Sequence, residues 1–316
     1  MYLESTRRLH SRKSKGLYRD RLTLEGSQGA NVSIAGQDYL SYCSNDYLGL
    51  ANHPELIEAV CEGAQQYGVG AGASHLIIGH HTSHHNLEEM LADFTGFPRA
   101  LLFSSGYMAN AGVVSALVGR GDEIYSDKLN HASLNDAAML SYAKWIRYPH
   151  LDLAILENRL SISQAKCKLV MTDAVFSMDG DIAPIAELLV LCEKYNAWLL
   201  LDDAHGFGVV GNEGRGIVSH YSLSSPRIIY MATLGKAAGV SGAFIAGQEV
   251  VIEALIQYAR SYIYTTAMPP LLSYALLKSI ELIRREGWRR KKITQLTEHL
   301  KNNLKFLRWT LLPSDM

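Results

Sequence analysis

An aspartate and a histidine close an apolar run in Asp202-Asp203-Ala204-His205, and a lysine closes a second run in Thr233-Leu234-Gly235-Lys236. His131 sits in Asn130-His131-Ala132-Ser133, and Gly106-Tyr107 opens a helical pattern directly behind an apolar stretch. Each group alone has an ordinary structural use: aspartates cap helices and lysines sit in water. Together they are the groups a pyridoxal phosphate site needs. A lysine amine binds the aldehyde. A carboxylate keeps the ring nitrogen protonated, so that the ring takes up electrons. Backbone N–H groups at a helix start suit the phosphate. An aromatic or imidazole plane covers the ring.

The elements that must position these groups follow from the apolar pattern. Ala100–Phe103, Glu123–Ser126, Trp145–Arg147, Lys168–Asp173 and Trp198–Asp202 read as short buried strands, followed by Ile228–Thr233 and Gly242–Ala246. Most segments between them read as helices. Apolar strands alternating with helices predict an α/β fold with a largely parallel sheet. Ligands in such sheets collect beyond the carboxyl ends of the strands, where Ser104-Ser105-Gly106, Asp173, Asp202-Asp203 and Thr233 fall. Helical periodicity begins after Pro54, with Leu56, Ile57 and Val60 on one face. Residues 1–44 read as an arm, with short alternating stretches at Val32–Ile34 and Tyr39–Tyr42. After Pro269-Pro270 the chain turns helical and basic, and Arg284, Arg285, Arg289, Arg290, Lys291 and Lys292 read as a solvated helix face.

Three other motifs are weighed and set aside. Gly206-Phe207-Gly208-Val209-Val210-Gly211 fits GxGxxG behind a strand, but Asn212-Glu213-Gly214-Arg215-Gly216 forms turns rather than a helix. No acidic residue follows between Ile217 and Lys236 to hold a ribose. Gly235-Lys236 lacks the upstream glycine and the following Ser/Thr of a P-loop. His75, His80, His81, His84 and His85 crowd together, with His81 and His85 at the i,i+4 spacing of a helical chelate. The segment also starts a helix at Asn86-Leu87-Glu88-Glu89, and it has no cysteine or distant acidic partner, so no metal is expected.

Composition excludes other classes. The chain has 316 residues, enough for a full core without disulfides or a structural metal. Thirty basic against 31 acidic side chains leave a net charge of −1, which argues against a dedicated nucleic-acid binder. Cys43, Cys61, Cys167 and Cys192 form no CxxC pair, and a reduced, cytoplasmic setting is the expectation. No apolar run approaches the roughly 20 residues of a membrane helix. The basic start has no apolar stretch behind it, and Glu4 and Asp20 favour an amphipathic arm over a transit peptide. Asn31-Val32-Ser33 fits a glycosylation sequon, but nothing else in the sequence points to secretion.

Six blocks together resemble the α-oxoamine synthases, a family of fold type I pyridoxal phosphate enzymes. They are Ser44-Asn45-Asp46-Tyr47-Leu48-Gly49-Leu50, Gly106-Tyr107-Met108-Ala109-Asn110, Asn130-His131-Ala132-Ser133, Val175-Phe176-Ser177-Met178-Asp179-Gly180, Asp202-Asp203-Ala204-His205-Gly206 and Thr233-Leu234-Gly235-Lys236. The resemblance implies an aspartate aminotransferase-like fold, with an arm at 1–44, a large cofactor domain at 45–285 and the start of a small C-terminal domain at 286–316. It implies Lys236 as cofactor anchor and base, Asp202 at the ring nitrogen, His131 on the ring face and His205 at the phenolic oxygen. Gly106, Tyr107 and Thr233 are implied at the phosphate, Ser177 at the cofactor or acyl group, and Thr265 and Thr266 at the phosphate of a neighbouring subunit. The implied assembly is a homodimer with a shared active site.

Arg19, with Arg21 as the alternative register, matches a substrate-carboxylate arginine, and Asn45 lies near substrate in the family. His84 matches the family histidine before Leu-Glu. Asp202-Asp203-Ala204-His205-Gly206 and Ile263-Tyr264-Thr265-Thr266-Ala267-Met268-Pro269-Pro270 look like the alanine-using, biotin-synthesis branch. That branch condenses L-alanine with a pimeloyl thioester of CoA or acyl carrier protein, with loss of CO2, to 8-amino-7-oxononanoate. The alternative is a glycine-using acetyltransferase of the same family. Ala71, Ala73, His75 and Ala237-Ala238 depart from a glycine-richer pattern. Leu311-Leu312-Pro313-Ser314-Asp315-Met316 falls where the family's small domain is only beginning, which predicts a truncated chain of impaired turnover.

Overall fold

The computed structural model describes residues 1–306, 308, 311 and 314; Leu312, Pro313, Asp315 and Met316 of the expected domain start lie outside the described residues. The chain divides into two compact units, Met1–Ser44 and Asn45–Met316. The first holds helix α1 (Tyr2–Ser14) and a small antiparallel sheet of β1 (Leu24–Glu25), β2 (Asn31–Ile34) and β3 (Gln37–Leu40). Helix α1 buries none of its residues.

The second unit is built on seven strands: β4 (Arg99–Phe103), β5 (Glu123–Asp127), β6 (Lys144–Tyr148), β7 (Lys168–Asp173), β8 (Trp198–Asp202), β9 (Ile228–Thr233) and β10 (Ala243–Gly247). Their order is β4-β10-β9-β8-β7-β5-β6. All neighbours run parallel except β10, which is antiparallel to both β4 and β9. The expected last strand therefore starts one residue later than Gly242. Gly242 has φ +100, and a Cβ there would lie 2.8 Å from Met268 Sδ, so it belongs to the turn before the strand.

The helices are α2 (Pro54–Tyr67), α3 (Thr82–Thr95), α4 (Gly106–Leu117), α5 (Ala132–Leu140), α6 (Leu153–Ser161), α7 (Ile185–Lys194), α8 (Ile217–His220), α9 (Glu249–Tyr258), α10 (Arg260–Ile263), α11 (Pro270–Arg285) and α12 (Trp288–Leu304). Two apolar cores form on opposite faces of the sheet. Leu199, Leu201, Tyr230 and Ala232 point to one, with Leu91, Leu188 and Leu276 from α3, α7 and α11. Leu200, Ile229 and Met231 point to the other, with Val113, Leu134 and Leu255 from α4, α5 and α9. The alternation follows from the two-residue repeat of a strand. A sheet covered on both faces needs continuous apolar strands, and fully burying a leucine contributes about 1.5–3 kcal/mol.

Two expectations shift. Helix α2 buries Leu56, Ala59 and Gly63, whereas Ile57 keeps 49% of its surface exposed. The apolar stripe is rotated because small residues let α2 sit close to α11. The basic run is only partly a solvated face. Arg284 donates to Asp93, Arg285 to Glu55, and Arg289 to the Leu48 carbonyl at 2.8 Å. Arg290 donates to the Ile283 carbonyl. These bonds tie the end of α11 and the start of α12 to the rest of the second unit, and the unit has no break at 285/286.

Candidate active site

The carboxyl ends of β7, β8 and β9 bring Asp173, Asp202 and Thr233 to one edge, with Asp173 and Asp202 in register. A cavity of about 200 Å³ opens there, lined by Gly106, Tyr107, His131, Asp173, Asp202, His205, Thr233 and Lys236 among others. The eight come from five separate stretches of sequence. The sheet collects them because all its strands except β10 end on the same side.

Lys236 Nζ donates to His205 Nε2 at 2.7 Å. An accepting Nε2 places the imidazole hydrogen on Nδ1, which then donates to the Tyr47 hydroxyl at 2.6 Å. Tyr47 in turn reaches Asn45 Oδ1 at 3.4 Å. Burial, and then the charges of Lys236 and His131, pushes His205 down to about 4, so its neutral form prevails at pH 7. Burial also lowers the Lys236 amine, against the pull of Asp202 and Asp173.

Asp202 is held on both oxygens. Asn110 Nδ2 donates to Oδ2 at 2.8 Å, and the Ala204 N–H donates to Oδ1 at 3.1 Å. Asn110 Nδ2 also donates to Ser133 Oγ, which lies 2.7 Å from His131 Nδ1. The Ser133 N–H donates to the same ring nitrogen, so His131 caps α5 and carries its hydrogen on Nε2. The His131 N–H donates to Asp173 Oδ2 at 3.1 Å. Asp173 Oδ1 is buried with no hydrogen-bond partner. Burial, reinforced by the neighbouring Asp202 carboxylate, pushes Asp173 up to about 8. Asp202 is raised by burial as well. The two buried carboxyl groups disfavour each other's ionisation, and a further cation beside them would favour it.

Gly106 and Tyr107 begin α4 behind the N-cap Ser105, whose hydroxyl takes the Met108 N–H. A helix start leaves its first N–H groups without intrahelical acceptors, and the helix dipole adds positive potential. The Tyr107 hydroxyl donates to Asp136. Thr233 lines the cavity, but its hydroxyl hydrogen goes to the Gly242 carbonyl at 3.0 Å.

The remaining expected site residues lie elsewhere. Ser177 lines a second cavity of about 280 Å³, walled by Tyr47, Val175, Phe176, Val209 and Ile293, with His205 common to both cavities. Asn45 enters only through Tyr47. Thr265 and Thr266 sit between α10 and α11, outside the lining of this chain's own cavity. Arg19 and Arg21 lie in the first unit, on the irregular stretch between α1 and β1.

Tyr47, Asn110 and Ser133 have no role assigned from the sequence, and Asp173 is placed only among the strand ends where ligands collect. Asp173 had the same signal as Asp202, a carboxylate closing an apolar strand. Tyr47 and Asn110 stand inside the matched blocks and had no chemical signal of their own. The glycine run after β8 has a local explanation. It wraps the buried Asp203, whose Oδ2 accepts from the Ile217 N–H at 2.8 Å and the Tyr230 hydroxyl at 2.7 Å. A Cβ on Gly206 or Gly216 would come within 2.4 Å of that carboxylate. No helix opens at 206–211.

The histidine cluster is used locally. His81 is the N-cap of α3, and its ring edges against Tyr67, while His85 lies 3.4 Å from Glu89. The i,i+4 spacing of His81 and His85, weighed and set aside in the sequence, brings no pair together. His75 Nδ1 lies 3.0 Å from His80 Nδ1, across the single π-helical turn His75–Gly79.

Comparison with known proteins agrees with this geometry. The model of the family described as aminotransferase class I and II matches residues 37–316. An 8-amino-7-oxononanoate synthase of Nitrosospira multiformis is 69% identical over 307 residues, which span 97% of this chain and 78% of that protein. One of Nitrosomonas europaea is 60% identical over 318 residues, covering 100% of this chain and 82% of that protein. A solved serine palmitoyltransferase of S. paucimobilis with bound PLP–myriocin matches with a TM-score of 0.90 at 28% identity, covering 97% of this chain and 80% of that one. The solved 8-amino-7-oxononanoate synthase of Francisella tularensis matches with a TM-score of 0.76 at 33% identity, covering 87% and 78%. This chain belongs to the aminotransferase class I and II family.

Proposed function

We propose that the chain catalyses, in the cytoplasm, the pyridoxal-phosphate-dependent condensation of L-alanine with a pimeloyl thioester. The products are 8-amino-7-oxononanoate, CO2 and the free carrier, CoA or acyl carrier protein, in biotin biosynthesis. The carrying observation is Lys236 hydrogen-bonded to a neutral His205 in a cavity that also holds the Asp202–Asp173 pair. The relatives' shared name supplies the choice of reaction.

The residues fit the cofactor. The buried Asp202 carboxyl, kept from ionising by burial, would gain a cation from a protonated ring nitrogen. The start of α4 supplies N–H donors for a phosphate. Bound pyridoxal phosphate supplies an electron sink for charge developing at the alanine Cα.

The chain's own groups do the rest. Lys236 anchors the cofactor and then takes the Cα proton on Nζ; burial weakens its hold on that proton. His205 orients Nζ through Nε2 and is itself fixed by Tyr47. Asp202 faces the ring nitrogen, held by Asn110 and Ala204. His131 covers the ring, its tautomer set by Ser133. The apolar wall of the second cavity suits a hydrocarbon chain, at about 0.8 kcal/mol per buried methylene, with Ser177 at its edge. Arg19 and Asn45 are substrate contacts by resemblance. The working unit is a homodimer in which Thr265 and Thr266 serve the neighbouring phosphate. Exposed Ile77, Ile78 and Tyr264 in the same unit support this by offering apolar surface to a partner.

Turnover tests the reading. The purified chain, loaded with pyridoxal phosphate, is given alanine or glycine with pimeloyl or acetyl thioesters, and CO2 and amino-ketone are measured. Alanine with a pimeloyl thioester is the expected pair. Reaction of glycine with acetyl-CoA alone overturns the assignment.

A further inference from the structure

Outside the cavity, histidines gather between the His75–Gly79 turn and α3. Two overlapping sets bring ligand atoms within 4.8 Å of one another: His75, His80 and His84, and His80, His85 and Glu88. The first set is already spent. His84 Nδ1 accepts the His81 N–H at 3.0 Å, and its Nε2 lies 2.7 Å from the Met268 carbonyl, to which it donates. An imidazole has only two nitrogens, so His84 has no lone pair left for a ligand. A third cluster, His53 with Glu55 and Glu286, is served by Arg285 and Arg289, which donate to both carboxylates.

The second set has no direct bond among its members, and the one contact of His85, 3.4 Å to Glu89, is an exposed pair that a bound metal could replace. His85 and Glu88 stand three residues apart on α3 and share a face, and His80 approaches from the preceding turn. His80 Nε2 lies 3.9 Å from Glu88 Oε2, too long for a direct hydrogen bond. Zinc bonds to nitrogen and oxygen of about 2.0–2.2 Å put two tetrahedral ligand atoms roughly 3.3 Å apart, a small closure from the observed distance. The other Glu88 oxygen accepts the Leu102 N–H at 2.9 Å, which fixes the carboxylate and leaves Oε2 facing the histidines. His80 Nδ1 lies 3.0 Å from His75 Nδ1, and His75 is stacked on Tyr262. A His80 that donates from Nδ1 to His75 presents a lone pair on Nε2. That is how a ligating histidine is usually oriented by its neighbour.

We propose that His80, His85 and Glu88 form a three-ligand site for a divalent cation of the zinc class, oriented through His75 and completed by solvent. Two imidazoles and one carboxylate suit zinc or a neighbouring first-row metal rather than calcium or magnesium. The site is separate from the lysine cavity and independent of the proposed reaction. Bound metal would tie the 75–80 turn to α3.

The test is a zinc titration of the full chain, loaded with pyridoxal phosphate and freed of excess, in competition with a fluorescent chelator. Exposed Cys43 and Cys61 are replaced by serine in every sample, because thiolates also bind zinc. The expected result is one zinc per chain and a raised thermal midpoint. His85→Ala, at an exposed position, and Glu88→Gln, which keeps the acceptor for Leu102, each weaken binding at least tenfold and abolish the thermal gain. Absence of saturable binding, or equal affinity in both variants, overturns the site. A response in only one variant overturns the three-ligand set.

Discussion

Two regions concentrate ionisable side chains: the strand-end cavity around Lys236 and the turn around His75–His85. Their densities are similar and their local chemistry differs. At the strand ends, Asp173 keeps a buried oxygen with no partner, beside the buried Asp202 carboxyl and the Lys236 amine. At the turn, His81 caps a helix and His84 spends both ring nitrogens on backbone. Unspent polar capacity in a cavity marks a place for a ligand, whereas saturated polar groups mark architecture. The same contrast operates inside the histidine cluster, where His80 Nε2 and Glu88 Oε2 face each other at 3.9 Å without a direct hydrogen bond.

The largest expected effect follows from the first region. Lys236→Ala lowers turnover at least a thousandfold, since general base catalysis alone contributes about 10²–10⁴ and the anchoring bond is lost with it. Steady-state kinetics with folded variant checks this. Turnover within tenfold of the parent would remove Lys236 from the reaction.

A smaller effect is expected in stability against pH at Asp203. Its carboxyl is pushed up to about 7, by burial first, from an ordinary value near 4. Between those values the unfolded chain has released the proton and the folded chain still holds it. Folding stability therefore falls as pH rises through that window, by at most about 4 kcal/mol from this group. Asp203→Asn removes this contribution, so the drop in denaturation midpoint between pH 5 and 8 shrinks. An unchanged drop would show that Asp203 ionises normally in the fold.

Within the second region the effects diverge. His84→Ala loses the bonds to His81 and Met268 and leaves a buried gap, for about 2–4 kcal/mol. His85→Ala in metal-free buffer stays within about 0.5 kcal/mol, as an exposed surface position should. Chemical denaturation of both variants checks this. Equal costs would erase the distinction between saturated and open histidines.

Much of this was legible in the sequence, because strands buried on both faces leave unbroken apolar runs that end in polar residues. The seven strands of the main sheet follow from that pattern, with Gly242 misplaced only because its positive φ is invisible in a one-dimensional reading. Lys236, His205, Asp202 and His131 were legible as a set, since Asp202 closes a strand, His131 caps a helix, and His205 and Lys236 each follow a strand end by three residues. What escaped depended on distant pairing. Tyr47 lies 158 residues from His205 in sequence, and Asn110 lies 92 from Asp202, so neither bond leaves a local trace. The His75–His80 pair needed the π-helical turn at His75–Gly79, which no α-helical periodicity announces.

The central claim is that the strand-end cluster is a pyridoxal phosphate site anchored by Lys236. Borohydride reduction of the cofactor-loaded chain, followed by peptide mapping with mass spectrometry, tests it most directly. One cofactor-modified lysine per chain, at Lys236, is the expected result. Modification at another lysine with Lys236 untouched would contradict it.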